Sequence, residues 1–386
     1  VSTAAARGRA PARAVAALAA TAVTTAAVAA CAAAPASPGP SRPRIVPAAA
    51  GGGQGGAQRS ARRQPPSQAP VSPSRPASRP AGTRRPPSPA PGGSSAPGPA
   101  WSHPAGAFTP GLRLGAFTAG QSLWGFDAQV GHAALTVSYV PWGTPLRWLA
   151  RVIARAVRSH AEALFDLYPG RLGRDASQIA AGTGGSDAWL RGLGRLLDRM
   201  RDPLAVSFFP EMNGPWRRSW THGPASYIAA FRHVHAVLSR VAGSRVTFYW
   251  QPSAMHNANP DPMPWFPGRG YVQVVALDGY YYFPHDTFGA IFGATIRLVR
   301  RADPTVPIMV GETAAGPMYG RQAWEIRNLF AGIRQDRLLG LIWFNQRQHF
   351  APYQFHQDWR LQDHPGALAA FRACLARYGP LARLVK

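Results

Sequence analysis

The sequence predicts an α/β fold, a (β/α)8 TIM barrel preceded by a disordered Pro/Gly/Ser/Arg-rich tether. Three observations predict it. From residue 106 onward, short apolar or β-branched runs alternate with longer stretches at helical period, the pattern of a parallel sheet with crossover helices. The strand-like runs number eight. The apolar residues recur throughout 106–386 and suffice for one sizeable core, so that region reads as one folded domain.

The candidate strands cover 114–118, 135–140, 163–167, 205–209, 246–250, 272–277, 308–311 and 339–344. Between them, 145–159 puts Leu146, Leu149, Val152, Ile153 and Val157 on one helical face. Stretches 187–201, 226–241, 288–301 and 322–335 repeat that pattern, and 365–377 reads as the closing helix. The connections after the first strand and around the second and third are less regular. Eight β/α units in a domain of this length favour a closed barrel over an open doubly wound sheet.

Residues 1–105 have a different character. They are dominated by Ala, Pro, Gly, Ser and Arg, contain no Asp or Glu, and hold almost no aromatic residue that could fill a core. Residues 1–31 have the layout of an export signal, with Arg7, Arg9 and Arg13 followed by an uncharged run over 14–30. That run is too short and too rich in Ala and Thr for a good membrane span. It ends in Val28-Ala29-Ala30-Cys31, which resembles a bacterial lipobox and makes Cys31 a lipidation candidate. Ordinary cleavage near Ala34 or Ala36, with Cys31 discarded, is the alternative. Residues 32–105 then form a tether, stiffened locally by Pro, that spaces the domain from a membrane or wall. The expected location is extracellular or at the cell surface, anchored to the outer face of the bacterial membrane if Cys31 carries lipid. The only other cysteine, Cys374, lies in an apolar helical pattern. No disulfide framework is expected, and Cys374 reads as a buried small hydrophobe in a monomeric domain.

The net charge of +25 raises the question of nucleic acid, because basic proteins gain affinity by displacing counterions from phosphates. Its distribution argues against that function. Twelve of the forty-two basic residues lie in the acid-free N-terminal stretch, which leaves thirty against seventeen acidic residues in the rest. Nearly all are Arg in a chain rich in Ala, Pro and Gly, which reads as a compositional bias of the source and a solvated basic surface. Attraction to anionic wall polymers or lipid headgroups is the other reading.

In a β/α barrel the reactive groups sit where strands run out at the C-terminal face. Glu211 ends the fourth strand, in Phe209-Pro210-Glu211-Met212-Asn213-Gly214-Pro215-Trp216, and Glu312 ends the seventh, in Val310-Gly311-Glu312-Thr313. A lone Glu at a strand end is ordinarily a solvated or salt-bridged residue. Two of them, each directly after an apolar run with no neighbouring acid, suit a reaction that needs two carboxyls. Glycosidic bonds break through an oxocarbenium-like state attacked on one face and protonated on the other. One carboxyl must stay ionised and the other keep its proton. Glu312 is the candidate nucleophile and Glu211 the candidate acid/base.

These stretches resemble glycoside hydrolase family 26, the β-mannanases and related endo-glycanases. The family carries a segment close to His-Glu-Met-Asn-Gly-x-Trp around the acid/base, matched here from Glu211 to Trp216 with Trp220 beyond it. Glu312-Thr313 matches the nucleophile segment, and Asp278-Gly279-Tyr280, Trp343-Phe344-Asn345 and Asp358-Trp359-Arg360 follow in order. The resemblance spans 110–375. It implies that Tyr280 orients the nucleophile and that Trp343 stacks under the sugar, with core packing the alternative for either ring. Trp216 and Trp220 read as further sugar-binding walls or as core. Asn213 either bonds substrate or shapes its loop, and Asn345 joins the substrate-binding candidates. One departure stands out: the family's His before the acid/base is Pro210 here, which has no side-chain donor and no N–H. That contact is lost or supplied by another residue.

Other constellations carry less. His233 and His235 are two apart on a predicted helix and face different directions, a poor metal site. His222, His256, His349 and His356 fall in loops near the predicted catalytic face. Gly182-Thr183-Gly184-Gly185 lacks the Lys and spacing of a phosphate loop, and no Gly-x-Ser-x-Gly occurs. No cofactor is implied. The reading is therefore a retaining endo-glycosidase acting on a β-1,4-linked polysaccharide, β-mannan first, with an endo-glucanase or xylanase of the same fold close behind. The contrasting readings are a non-catalytic carbohydrate-binding surface lipoprotein and a basic anchor for anionic wall polymers.

Overall fold

The computed structural model describes residues 111–378 except 171, 174, 257, 258 and 351–354, and it leaves aside the side chains of 348–350, 355 and 356. The expected signal with Cys31 and the expected tether, along with the side chains of His349 and His356, lie outside the described residues. Eight strands form the barrel: β1 Arg113–Phe117, β2 Leu135–Pro141, β3 Glu162–Tyr168, β4 Leu204–Phe208, β5 Val246–Trp250, β6 Val274–Asp278, β7 Ile308–Thr313 and β8 Gly340–Phe344. All neighbours are parallel and the sheet closes through β1 and β8. The expected fold is borne out, with each expected strand within two residues of its observed position at either end.

The helices are α1 Leu123–Gln129, α2 Leu146–Arg158, α3 Ala176–Ala180, α4 Ser186–Met200, α5 Arg218–Thr221, α6 Pro224–Ala242, α7 Phe288–Ala302, α8 Gln322–Gln335 and α9 Pro365–Ala376. Each long helix buries one apolar stripe, as Leu149, Ile153 and Ala156 do in α2. In α9 the buried face includes Phe371 and Cys374. Among the described residues no helix is long and apolar enough to cross a membrane. The short α1 and α3 are absent from the sequence-based reading because five or seven residues carry too little periodicity to register. So is a hairpin after the barrel, β9 Arg347–Phe350 and β10 Phe355–Asp358, paired antiparallel.

One crossover departs from the β/α pattern. Between β5 and β6 the described residues form only two short 3-10 turns, Met263–Trp265 and Arg269–Tyr271. Prolines at 252, 260, 262, 264 and 267 explain this, since each removes an amide donor and obstructs the preceding turn of an α-helix.

Side chains two apart along a strand share a face, which sorts each strand into residues facing the barrel axis and residues facing the helices. At the N-terminal end the axis is filled by Arg113, whose guanidinium donates to Glu162 Oε2 at 2.5 Å and to the Tyr249 hydroxyl at 3.1 Å. All three are buried. The closing seam needs Gly340, because a Cβ there would lie 1.9 Å from the Arg113 carbonyl oxygen. At the C-terminal end the axis-facing residues are polar and acidic, and there the site is built.

Candidate active site

Glu211 lies three residues past the end of β4. The chain turns sharply to put it there, with Phe209 and Glu211 both left-handed (φ 47° and 58°) on either side of Pro210. Such a conformation costs a non-glycine residue roughly 1 kcal/mol or more. The turn is held by Phe209 N–H donating to the Leu167 carbonyl at 2.8 Å and Glu211 N–H donating to the Gln251 carbonyl at 2.7 Å. Proline between them has no amide to leave unsatisfied.

The Glu211 carboxyl is buried. Its Oε2 accepts from Trp216 Nε1 at 3.1 Å and from Arg217 Nη2 at 3.2 Å, and Ser253 Oγ lies 3.2 Å from Oε1. Gly214 makes room for this arrangement, since a Cβ there would sit 2.4 Å from the Trp216 ring. Glu312, the fifth residue of β7, is also buried. Tyr139, on β2, donates to its Oε2 at 2.6 Å, and Tyr280, just past β6, donates to its Oε1. Both oxygens of Glu312 thus accept phenolic hydrogen bonds, a pattern suited to an ionised carboxylate.

Two further acids crowd the pair. Asp166 on β3 is fully buried, and neither of its carboxyl oxygens has a hydrogen-bond partner among the described residues. Asp278 at the end of β6 accepts from Gln251 Nε2 at 3.1 Å through both oxygens. Gly311 beside Glu312 permits this approach, because a Cβ there would lie 2.6 Å from Asp278 Oδ1. Burial, then the Glu312 charge, pushes Asp166 and Asp278 well above the usual carboxylate range. Glu312 itself is pushed up to about 7, by burial and then by the Glu211 charge, while the Tyr139 and Tyr280 hydrogen bonds and the Arg217 charge oppose the rise. Burial thus favours the protonated form of both Asp166 and Asp278. The Glu211 charge adds to burial in favouring the protonated form of Glu312, while the two phenols and Arg217 favour its ionised form.

The structure brings Glu211, Glu312, Tyr280 and Trp216 together and treats the other candidates differently. Trp343 is fully buried, donates Nε1 to the Trp359 carbonyl at 2.9 Å, and meets Phe371 of α9 edge-on at 5.2 Å. It faces the helices, so it cannot stack under a sugar at the barrel axis. The ring beside the site is Trp359, stacked on Tyr280 at 4.7 Å. Asn213 is engaged within the protein. Its Nδ2 donates to the Ser253 and Pro260 carbonyls at 2.9 Å, and its Oδ1 accepts from Ser253 N–H at 3.0 Å. These three bonds clamp two loops together. Asn345 does likewise, accepting from Leu361 N–H at 2.9 Å and donating to Gln362 at 3.0 Å. Trp220 carries the Arg217 guanidinium on its face at 4.4 Å and borders Tyr168 and Phe209, which makes it a platform for a protein side chain.

The histidines play supporting parts. His233 bonds Asp187 at 2.6 Å, His235 packs on Phe248, His222 lies 3.5 Å from Asp175, and His256 bonds the buried Asp286 at 3.0 Å. Among the described residues no group of three or more His, Cys, Asp or Glu could hold a metal ion. Sequence reasoning missed Tyr139, Asp166, Arg217 and Ser253. For Asp166 a signal was available, since it is an isolated acid inside the apolar run of β3.

No protein-family model matches the chain. It is similar to endoglucanase H of Acetivibrio thermocellus, 23% identical over 290 residues that cover 70% of this chain and 31% of the relative. The chain thus spans about a third of the curated relative's length. Two solved structures share the fold, a Cellulomonas fimi endo-β-1,4-mannanase and a double mutant of an enzyme with the same description. The double mutant has a TM-score of 0.52 and the other 0.51, each 17% identical and covering 69% of this chain and 70% of its own. The latter is described in the context of glycoside hydrolase family 26 mannanases, the family that the motifs around Glu211 and Glu312 resemble.

Proposed function

We propose that the chain is a retaining endo-glycosidase that hydrolyses a β-1,4-linked polysaccharide, with β-mannan the first expectation. The observation that carries this reading is the buried pair itself: two carboxyls from the ends of β4 and β7 that feel one another's charge, one held through both oxygens by phenols. The mannanase neighbours and the endoglucanase relative support a β-1,4-glycan substrate, and the latter favours glucan as the second choice.

In this reading Glu312 attacks the anomeric carbon from one face while Glu211 donates its proton to the departing glycosidic oxygen. The glycosyl–Glu312 ester forms as that bond breaks. Glu211, now ionised, takes a proton from water, and the resulting oxygen displaces Glu312 with a second inversion. Tyr139 and Tyr280 keep the Glu312 oxygens oriented, and their hydrogen bonds relax as negative charge leaves the carboxylate. Burial favours the protonated, uncharged form of Asp166 and Asp278, which limits the negative charge they bring to the site.

The test is a panel of soluble polysaccharides assayed by reducing-end release, with Glu312→Ala as control and the anomer of the first product read by proton NMR. Release that Glu312→Ala abolishes, with the β-anomer formed first, supports the reading. Binding without release on every substrate would point instead to the carbohydrate-binding surface protein, for which Pro210 speaks. Export and anchoring through Cys31 belong to the same proposal, and palmitate labelling that persists in Cys31→Ser would overturn anchoring at that residue.

A further inference from the structure

We propose that Arg217 is the positioning residue of the carboxylate pair: clamped on Trp220, its guanidinium holds the Glu211 carboxylate and brings a positive charge into the acidic cluster. This rests on the glycosidase reading for its consequence in catalysis and on geometry alone for the contact.

The geometry is unusually constrained for an arginine. Arg217 is 3% exposed and shares such burial with Arg113 at the opposite end of the barrel. Its Cζ lies 4.4 Å from the centre of the Trp220 ring, and its Nη2 is 3.2 Å from Glu211 Oε2. Pro215 starts the turn that delivers it, Arg217 N–H donates to the Gly214 carbonyl at 3.0 Å, and its own carbonyl accepts from Thr221 Oγ1 at 3.2 Å. Both backbone ends and the side chain are therefore fixed. A planar guanidinium stacked on an indole loses little further entropy on bonding a carboxylate.

The groups around it explain what this charge does. Tyr139 comes from β2, Asp166 and Tyr168 from β3, Glu211 from the turn after β4, Asp278 from the end of β6, Tyr280 from just beyond it, and Glu312 from β7. On its own segment the nearest other titratable groups are the exposed Arg218 and His222, the latter turned to Asp175. Four carboxyls thus share one buried space, and Arg217 opposes the upward push on both Asp166 and Glu312. Taking Arg217 away leaves Glu211 and Glu312 to repel each other with less compensation, so Glu312 holds its proton to higher pH and is a poorer nucleophile at neutral pH. Pro210 leaves the position before the acid/base without a donor, and Arg217, beside Trp216, reaches Glu211 from the other side of the motif and is the donor there that carries a charge.

The chain contains four glutamates, Glu162, Glu211, Glu312 and Glu325, so the full-length protein labelled with 13C at glutamate Cδ gives four carboxyl resonances. In the wild type the Arg217 side-chain 15N resonance should move through the same midpoint as the Glu312 carboxyl. In Arg217→Gln the Glu312 midpoint should rise by about one pH unit, the size expected for losing a nearby opposite charge. Arg217→Lys, which keeps the charge, should restore at least half of that change. The acid limb of kcat/KM should follow the same order, whereas a merely structural arginine would lower activity without moving the limb. An Arg217 resonance indifferent to the Glu312 titration overturns the proposal, as does an unchanged Glu312 midpoint in folded Arg217→Gln. If Arg217→Gln fails to fold, the wild-type resonance decides alone. None of the NMR measurements needs turnover, so a protein that cleaves no polysaccharide loses the glycosidase reading while the role of Arg217 is still decided.

Discussion

The Tyr139 hydroxyl, on β2, donates a 2.6 Å hydrogen bond to Glu312 Oε2, on β7, across the C-terminal mouth of the barrel. With Tyr280 on the other oxygen, it favours the ionised form of a carboxyl that burial pushes up to about 7. Tyr139→Phe should therefore raise the acid limb of kcat/KM and reduce its plateau by roughly tenfold, the worth of about one charge-assisted hydrogen bond. A pH–rate profile on the best substrate checks both. An unchanged limb would remove Tyr139 from the machinery.

Asp166 makes a prediction about stability. Its pKa is raised well above the ordinary 3.8, so the folded state holds a proton that the unfolded state gives up as pH rises. Stability then falls with rising pH from about pH 4 upward, where the native state binds more protons than the unfolded one. Asp166→Asn should match the wild type near pH 3 and become the more stable protein at pH 8, by a few kcal/mol. Urea unfolding at the two pH values measures the gap. A gap of equal size at both would show that the carboxyl is not neutral in the fold.

Trp343, within β8, and Trp359, beyond it, should separate cleanly. Trp343 is packed against Phe371, so Trp343→Ala should lower stability by about 3–5 kcal/mol. Trp343→Phe should fold and leave KM unchanged. Trp359 backs Tyr280, and Trp359→Leu should lower kcat by loosening that phenol. Thermal melts alongside steady-state kinetics distinguish them, and a raised KM in Trp343→Phe would return Trp343 to the substrate.

At the opposite end of the barrel, Arg113 and Glu162 form a buried ion pair. Glu162→Ala should destabilise the fold by about 3–5 kcal/mol, because it leaves a guanidinium without its partner. The double variant Arg113→Met/Glu162→Leu should recover much of that loss. Denaturant midpoints of the three proteins check the order.

Much of the fold was legible before any coordinates. Strand and helix positions follow from local periodicity, and local periodicity is written in neighbouring residues. The β5–β6 connection was harder: its strands were recognisable, but the five prolines that bar a helix there were not weighed. The carboxylates at 211 and 312 could be found because a barrel exposes its strand ends, and because two such acids, each after an apolar run, suit a reaction that one alone would not. All four glutamates of the chain prove to be buried, so the scarcity of the residue was itself a usable sign.

The sequence by itself determined the eight strands and the long helices of the barrel and singled out Glu211 and Glu312. Only the tertiary structure decided which face each neighbour takes. Trp343 and Phe344 are adjacent, yet one faces the helices and the other meets Tyr280 and Phe117 at the axis, because side chains alternate across a strand and one residue of register exchanges inside for outside. The same holds for polar groups. That Asn213 clamps its loop depends on Ser253 and Pro260, 40 and 47 positions away, which closure of the barrel brings within hydrogen-bond reach. Periodicity is local and sets the elements. The charge balance around Glu312 is a sum over β2, β3, β4, β6 and β7, and it exists only once the sheet has closed.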